Sequence, residues 1–321
     1  MKHLFYIMAA LLTATAFVAC SSDDEIGDPI DIIQGYTLPQ GNASAEANAR
    51  IQSIYDKYGS YILYEFDDKD IFWTQITGIA SSGASTYKYV KGDPADVDAM
   101  LDFLDDIWWK YFPESFLKGG GLPYRVFIVD SIYLEKDYGE WGIQKYPQNY
   151  YIVGKAIIIG NMGRVAEMSD YEKNTIKIDV LNALWTYYTS NDILGTPEEF
   201  YTISDYTTKP EMTYNPNTWS YYYTDEQLAA LRNRGFIPNY SSYGYSVYSE
   251  IYMKYSESYD TWTNQDPKYY DYKYYLAQIF NATNEEAAEF LKYETVATKW
   301  NIILNYYKDN YGIDLRKIAT E

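Results

Sequence analysis

The sequence predicts an α+β fold, in which a mixed sheet with its helices fills residues 45–223 and an all-helical C-terminal subdomain fills residues 224–321. Three observations predict it. Residues 61–66, 125–134 and 150–159 are short runs rich in β-branched and aromatic side chains, as strands are. Apolar residues after Asp93-Pro94 recur at helical spacing. From Thr224 onward the pattern is almost wholly helical.

Taken in order, residues 45–57 form a helix, with Ile51, Ile54 and Tyr55 at helical spacing and Gly59 as its stop. A strand at 61–66 follows. The helix opened by Asp93-Pro94 places Val97, Met100, Leu101, Leu104, Ile107, Trp108 and Tyr111 on one face and Asp98, Asp102, Asp105 and Asp106 on the other. Gly119-Gly120-Gly121-Leu122-Pro123 breaks the chain before a strand at 125–134. Residues 150–159 are nearly all apolar, which suits a strand buried on both faces. Ser169, with Glu172 three residues on, caps a long helix reaching Ser190. Residues 195–223 are rich in Tyr, Thr and Pro and read as an irregular, cleft-forming stretch. Thr224-Asp225-Glu226-Gln227 starts the next helix, Gly235 stops it, and a long final helix begins near Asn284. No repeat of fixed period is present.

Composition removes whole mechanisms. The chain has 321 residues, 45 acidic against 26 basic, 40 Tyr, one Cys and one His. The His is His3, inside an apparent leader, so the processed chain has no imidazole for a catalytic triad or an HExxH zinc site. A net charge of -19 leaves no cationic footprint for phosphates, and nucleic acid is not an expected partner. One Cys permits no internal disulfide.

Residues 1–19 have the basic start, apolar stretch and small-residue end of a signal peptide, and the apolar stretch is too short to span a bilayer. Phe17-Val18-Ala19-Cys20 resembles a bacterial lipobox, with Phe17 in place of the usual Leu. In that reading the Cys20 thiol is acylated and anchors the chain to the outer membrane. Ordinary cleavage with a leftover thiol is the alternative. Ser21-Ser22-Asp23-Asp24-Glu25 resembles the surface-export signal of Bacteroidetes lipoproteins, and residues 20–44 form the lipidated Cys and a flexible tether. The domain is thus expected on the cell surface.

Several patterns carry candidate chemistry. Ser115 and Lys118 have S-x-x-K spacing, but no K-T-G or S-D-N accompanies them, and a helix end is the expected reading. Asp67-Asp68-Lys69-Asp70 lacks the Gly and Glu of a calcium loop and reads as a solvated turn. Tyr245, Tyr248, Tyr252, Tyr255 and Tyr259 share one stripe if helical, either a packing stripe or a stacking platform for sugar or peptide. Tyr221-Tyr222-Tyr223 and Tyr269-Tyr270 are better candidates for recognition.

Together, residues 54–59 with 61–66, 112–118, Leu122-Pro123, Pro197-Glu198-Glu199-Phe200 and Arg234-Gly235-Phe236-Ile237 resemble the Bacteroidetes substrate import-associated zinc metallohydrolase lipoproteins, which are zinc metallopeptidase-like. The resemblance spans most of residues 45–260 and implies a zincin-like scaffold, with an active-site-type helix packed against the helical subdomain. In that family the helix carries HExxH, and a TonB-dependent importer is encoded nearby. Here the corresponding residues are Asn182-Ala183-Leu184-Trp185-Thr186. Asn182 and Thr186 stand where the histidines would be, and Ala183 where the general base would be. Glu250 is the remaining relic of the downstream acidic segment. Zinc, the family's cofactor, is therefore not expected in this chain. Trp185, Tyr187, Tyr188 and Tyr248 are candidates to line a surviving groove, although at least two of the first three are expected to pack in the core. The reading that follows is a non-catalytic lipoprotein capturing peptide or glycan for an importer. The alternatives are a carboxylate-based hydrolase, such as a glycosidase, and a purely structural importer subunit.

Overall fold

The computed structural model describes residues 35–72, 86–208, 211, 213–217, 220–237, 255–256, 261–262 and 267–320. Contacts divide the chain into Met1–Thr37, of which only residues 35–37 are described, and Leu38–Glu321, which holds the fold.

Helix α1 (Ala45–Tyr58) starts where the Ser44 hydroxyl accepts the Ala47 N–H at 2.9 Å. It ends where Gly59 takes the left-handed conformation, φ 71°, that closes helices without steric cost. Strand β1 (Tyr61–Leu63), helix α2 (Asp68–Phe72) and strand β2 (Thr86–Val90) follow. Asp93 caps a 3-10 turn that leads into α3 (Val97–Ile107), whose buried face includes Val97, Met100, Leu101, Leu104 and Ile107, as the periodicity requires. Helix α4 (Glu114–Phe116) runs into a π turn, Leu117–Gly121.

Five strands come next: β3 (Arg125–Ile128), β4 (Ser131–Asp137), β5 (Ile143–Gln148), β6 (Tyr150–Val153) and β7 (Ala156–Ile159). Helix α5 (Asp170–Ser190) precedes a small hairpin of β8 (Thr213–Asn215) and β9 (Ser220–Tyr222). After α6 (Asp225–Asn233) come the paired β10 (Tyr255–Ser256) and β11 (Thr261–Trp262). Helices α7 (Pro267–Asn281), α8 (Asn284–Leu291), α9 (Glu294–Tyr311) and α10 (Leu315–Thr320) complete the chain.

The fold is α+β. One sheet has the order β1-β3-β7-β6, with β1, β3 and β7 parallel and β6 antiparallel to β7. In its inner strands, Val126–Ile128 of β3 and all of β7 are buried apolar residues, the pattern of a covered parallel sheet. A second sheet, β2-β4-β5, is antiparallel. Helix α5 packs against α3, α7 and β6, and α10 packs against α7 and α9.

Several boundaries differ from the sequence reading. The run 125–134 is two strands in different sheets: Asp130 turns the chain out, its N–H bonded to Val90 O at 2.9 Å and its carbonyl accepting Asn161 N–H at 2.7 Å. The run 150–159 is a hairpin, because Gly154 at φ 55° permits a tight reversal between β6 and β7. Strand β5 went unread because its side chains are exposed along nearly its whole length and show no alternation. The final helix is broken at Lys292-Tyr293. Tyr255 lies in β10, so no single helix carries the five-tyrosine stripe, and the other four tyrosines lie outside the described residues. The second half is likewise not all-helical, since it contains β10 and β11.

The 223/224 division is not a boundary of packing. One apolar core runs from Ala47 and Ile51 through the sheet, α3 and α5 to Trp300, Ile303, Leu315 and Ile318. Lys177 of α5, buried beneath Tyr111, donates to Ile318 O at 2.8 Å and ties the last helix to the middle of the chain.

The capping boxes at Ser169/Glu172 and Thr224/Gln227 are formed as the sequence predicts, and a third is formed by Thr283 and Glu286. Ser169→Ala removes the acceptor for Glu172 N–H and should cost about 1 kcal/mol. Urea denaturation measures it directly; no shift in the midpoint would show that α5 does not depend on its cap.

Candidate functional site

The site that the family resemblance points to lies in the second half of α5. Helical geometry puts Asp179, Asn182 and Thr186 on one edge, at spacings of three and four. Asp179 and Thr186 are exposed and Asn182 is half-buried. The Thr186 hydroxyl donates to Asn182 O at 3.1 Å, the back-bonding habit of a helical threonine, and so points along its own helix. Ala183 is buried and offers only a methyl group. Beside this edge, Asn149 donates its amide to Asp179 Oδ2 at 2.9 Å, and Asn161 donates to Asn149 Oδ1 at 3.1 Å. The result is a polar strip of one carboxylate, carboxamides and a hydroxyl.

Such a set does not fit a zinc ion. Zinc takes imidazole, thiolate or carboxylate, usually four ligands in a tetrahedron, and neutral oxygens do not offset its dehydration. Among the described residues no group of three or more His, Cys, Asp or Glu side chains is placed to hold a metal. Glu250, Tyr248 and Cys20 lie outside the described residues.

The expected groove residues on α5 are core residues instead. Trp185 is 3% exposed and Tyr188 is fully buried, with Tyr187 close behind. The Trp185 ring meets Tyr307 at 4.7 Å and Phe280 at 5.3 Å, both nearly edge-on, with Phe112 and Tyr188 farther out. Edge-to-face packing at these distances is the favoured aromatic geometry. Tyr188 accepts the Trp108 indole N–H at 3.0 Å and donates to Gly121 O at 2.6 Å, and burial drives its phenol pKa far up. These rings hold α3, α5, α7 and α9 together. None of the three lines a groove, because in this α+β arrangement α5 is covered by α3 and α7 as well as by β6.

Among the tyrosines proposed for recognition, Tyr223 is buried against Leu228, Leu231, Phe236 and Tyr274, so it is a packing residue. Tyr269 is exposed and stands edge-on to Tyr270 at 5.2 Å. The side chains of Tyr221 and Tyr222 lie outside the described set.

The sequence reading missed a buried ion pair. Lys299 of α9 and Asp271 of α7 are both at 0% exposure and in direct contact. Lys299 also donates to Ser204 Oγ and Gly235 O, each at 2.9 Å, and its ammonium lies 4.2 Å from the Phe200 ring centroid and 5.0 Å from that of Tyr275. Tyr206 donates to the Asp271 oxygen that Lys299 holds, at 2.6 Å. Burial pushes the Asp271 carboxyl up, to about 6, and pushes the Lys299 ammonium down, while their mutual attraction opposes both shifts. A raised carboxyl pKa can mark an acid catalyst, but this one is sealed in the core against a lysine and not paired with a second acid across a cleft. The available signal was Lys299 itself, set among Val296, Trp300 and Ile303 in the buried stripe of α9.

No family model matches the sequence, and no curated protein matches it. Among solved structures, the chain is similar to a protein from Bacteroides caccae described as a "putative zinc-binding metallo-peptidase". The likeness covers 86% of this chain and 91% of that one, at 11% identity and a TM-score of 0.41. At that level it carries no argument about this chain's fold or chemistry.

Proposed function

We propose that the chain is a non-catalytic binding protein, a surface-exposed lipoprotein anchored through Cys20 that captures peptide or glycan for a TonB-dependent import system. Its scaffold is read as zincin-like, descended from a zinc peptidase whose metal site has been lost. One observation supports this reading above the others: the α5 edge at Asn182, Ala183 and Thr186 offers a carboxamide, a methyl and a self-bonded hydroxyl where a zinc site needs strong donors. The absence of any His beyond His3 agrees with it. A catalytic base in that place would need a titratable group, and Ala183 supplies none.

Metal content tests the reading. Purified, tag-free protein expressed in zinc-supplemented medium should carry substoichiometric zinc by mass spectrometry and should show no change in thermal midpoint on adding a chelator. Stoichiometric zinc, or a chelator-induced drop in the midpoint, would overturn it, because a ligand bound only by the native state must stabilise that state.

A further inference from the structure

A groove of about 440 Å³ lies between α1 and the segment that runs from the end of α3 through α4. Arg50, Ser53, Ile54, Lys57 and Tyr58 line it from one stripe of α1, at the spacing that puts them on a single helical face. Trp109, Phe112, Leu117 and Leu122 supply the apolar lining opposite, and Asp105, Lys110 and Glu114 the polar lining. The volume falls within the range of about 300–1,000 Å³ typical of small-molecule sites.

Two adjacent tryptophans have divided the work here. Trp108 is fully buried and donates its indole N–H to Tyr188. Trp109 is half-buried, faces the groove, and its indole N–H has no hydrogen-bond partner among the described residues. The core accounts for all of Trp108, while Trp109 packs one side against that core, with its indole N–H turned inward, and presents the rest of its ring to the groove.

Charge narrows the occupant. Each cation of the lining already has a carboxylate: Arg50 pairs with Asp102 at 2.8 Å, Lys57 with Glu114 at 2.8 Å, and Lys110 with Asp106 at 3.4 Å. These pairs offset the cations' charge, so the field gives little favour to a phosphate or carboxylate, while the remaining N–H groups and carboxylate lone pairs stay available to hydroxyls. The lining comes from α1, the end of α3, a 3-10 turn, α4 and the π turn, with Phe112 and Leu122 extended but in no strand, so it offers no strand edge for an extended peptide. Flat apolar rings beside side chains that both donate and accept hydrogen bonds suit a neutral ring with one C–H face and a girdle of hydroxyls.

We infer that this groove binds a neutral sugar, a mono- or disaccharide, with Trp109 as the stacking surface and Arg50, Asp105 and Glu114 bonding its hydroxyls. The inference rests on the capture reading above and gives it a place and a ligand class. Saturation-transfer NMR of the purified protein with maltose, cellobiose, lactose and N,N′-diacetylchitobiose tests it, with tri-alanine as a peptide competitor. At least one disaccharide should bind. Its dissociation constant should rise by about tenfold or more in Trp109→Ala, as expected for a central aromatic anchor. Ser53→Trp, which fills the groove from the exposed surface of α1, should abolish binding without touching the core, and it covers the case in which Trp109→Ala fails to fold. Trp141→Ala, at the tip of the β4–β5 hairpin where the side chain is 86% exposed, should leave binding unchanged. No binding by any of the four sugars, or displacement by tri-alanine, would overturn the sugar assignment. Binding that survives both groove variants would overturn the groove and leave capture standing. Stoichiometric zinc would overturn the pseudoenzyme reading independently of either result.

Discussion

Asp271→Asn, with Lys299 left in place, is expected to destabilise the protein by about 3–5 kcal/mol. The substitution leaves an ammonium at 0% exposure with neutral partners only, Ser204 and the Gly235 carbonyl among them. Its aromatic surroundings attract a cation, but they replace only part of the lost hydration. Lys299→Met should cost a similar amount, because it leaves the Asp271 carboxylate with Tyr206 as its remaining side-chain donor and Oδ1 without a partner among the described residues. The double variant Asp271→Leu/Lys299→Met should recover most of the loss, since apolar replacement of a whole buried pair is often neutral or stabilising. Urea denaturation of the wild type, Asp271→Leu, Lys299→Met and the double variant closes the cycle. Additive single losses in the double variant would show that the two groups act separately, contrary to the geometry.

The strain of such a loss would fall on a particular junction. Lys299 joins α9 to α7 through Asp271, to the loop after Phe200 through Ser204, and to the turn after α6 through Gly235. Tyr275 donates to the same Gly235 carbonyl at 2.9 Å, so the turn is held from two helices. In a domain stable by about 5–15 kcal/mol, the single variants approach the threshold of folding.

Trp185→Ala should cost about 3–5 kcal/mol, the price of a large cavity in a packed core. Its four ring neighbours come from separate parts of the chain: Phe112, Tyr188, Phe280 and Tyr307. Tyr188→Phe keeps the ring but strands the Trp108 indole N–H and the Gly121 carbonyl, and should cost about 1–3 kcal/mol. The family resemblance would place Trp185 beside a ligand, so the two roles separate cleanly by experiment. Below its lowered melting midpoint, Trp185→Ala should bind any ligand of the wild type with an unchanged dissociation constant. A lost affinity with unchanged stability would return Trp185 to a groove.

Local rules located what is local. The caps at Asp93, Ser169 and Thr224 act within three residues of themselves, and each helix start follows them. The amphipathic face of α3 was legible because half of it is solvated and half buried. Strand content was legible where burial was double-sided, as in β7, but strand number was not. Residues 125–134 and 150–159 each look continuous because apolar character persists through the reversal, and only the turns at Asp130 and Gly154 divide them. Helix α5 shows the limit from the other side. Its buried residues surround much of its circumference, so neither face stands out and Trp185 could be read as lining a site or filling a core.

By itself, the sequence determined the α+β class, the capped starts at Asp93, Ser169 and Thr224, the strongly acidic balance, and that His3 is the single imidazole of the chain. Each of these follows from residue identity or from neighbours a few positions away. Only the tertiary structure decided that Asp271 meets Lys299, that Trp108 is structural while Trp109 faces a groove, and that Trp185 and Tyr188 belong to the core. Those outcomes depend on contacts between segments tens of residues apart, and packing sets such contacts without leaving a periodic trace in the chain.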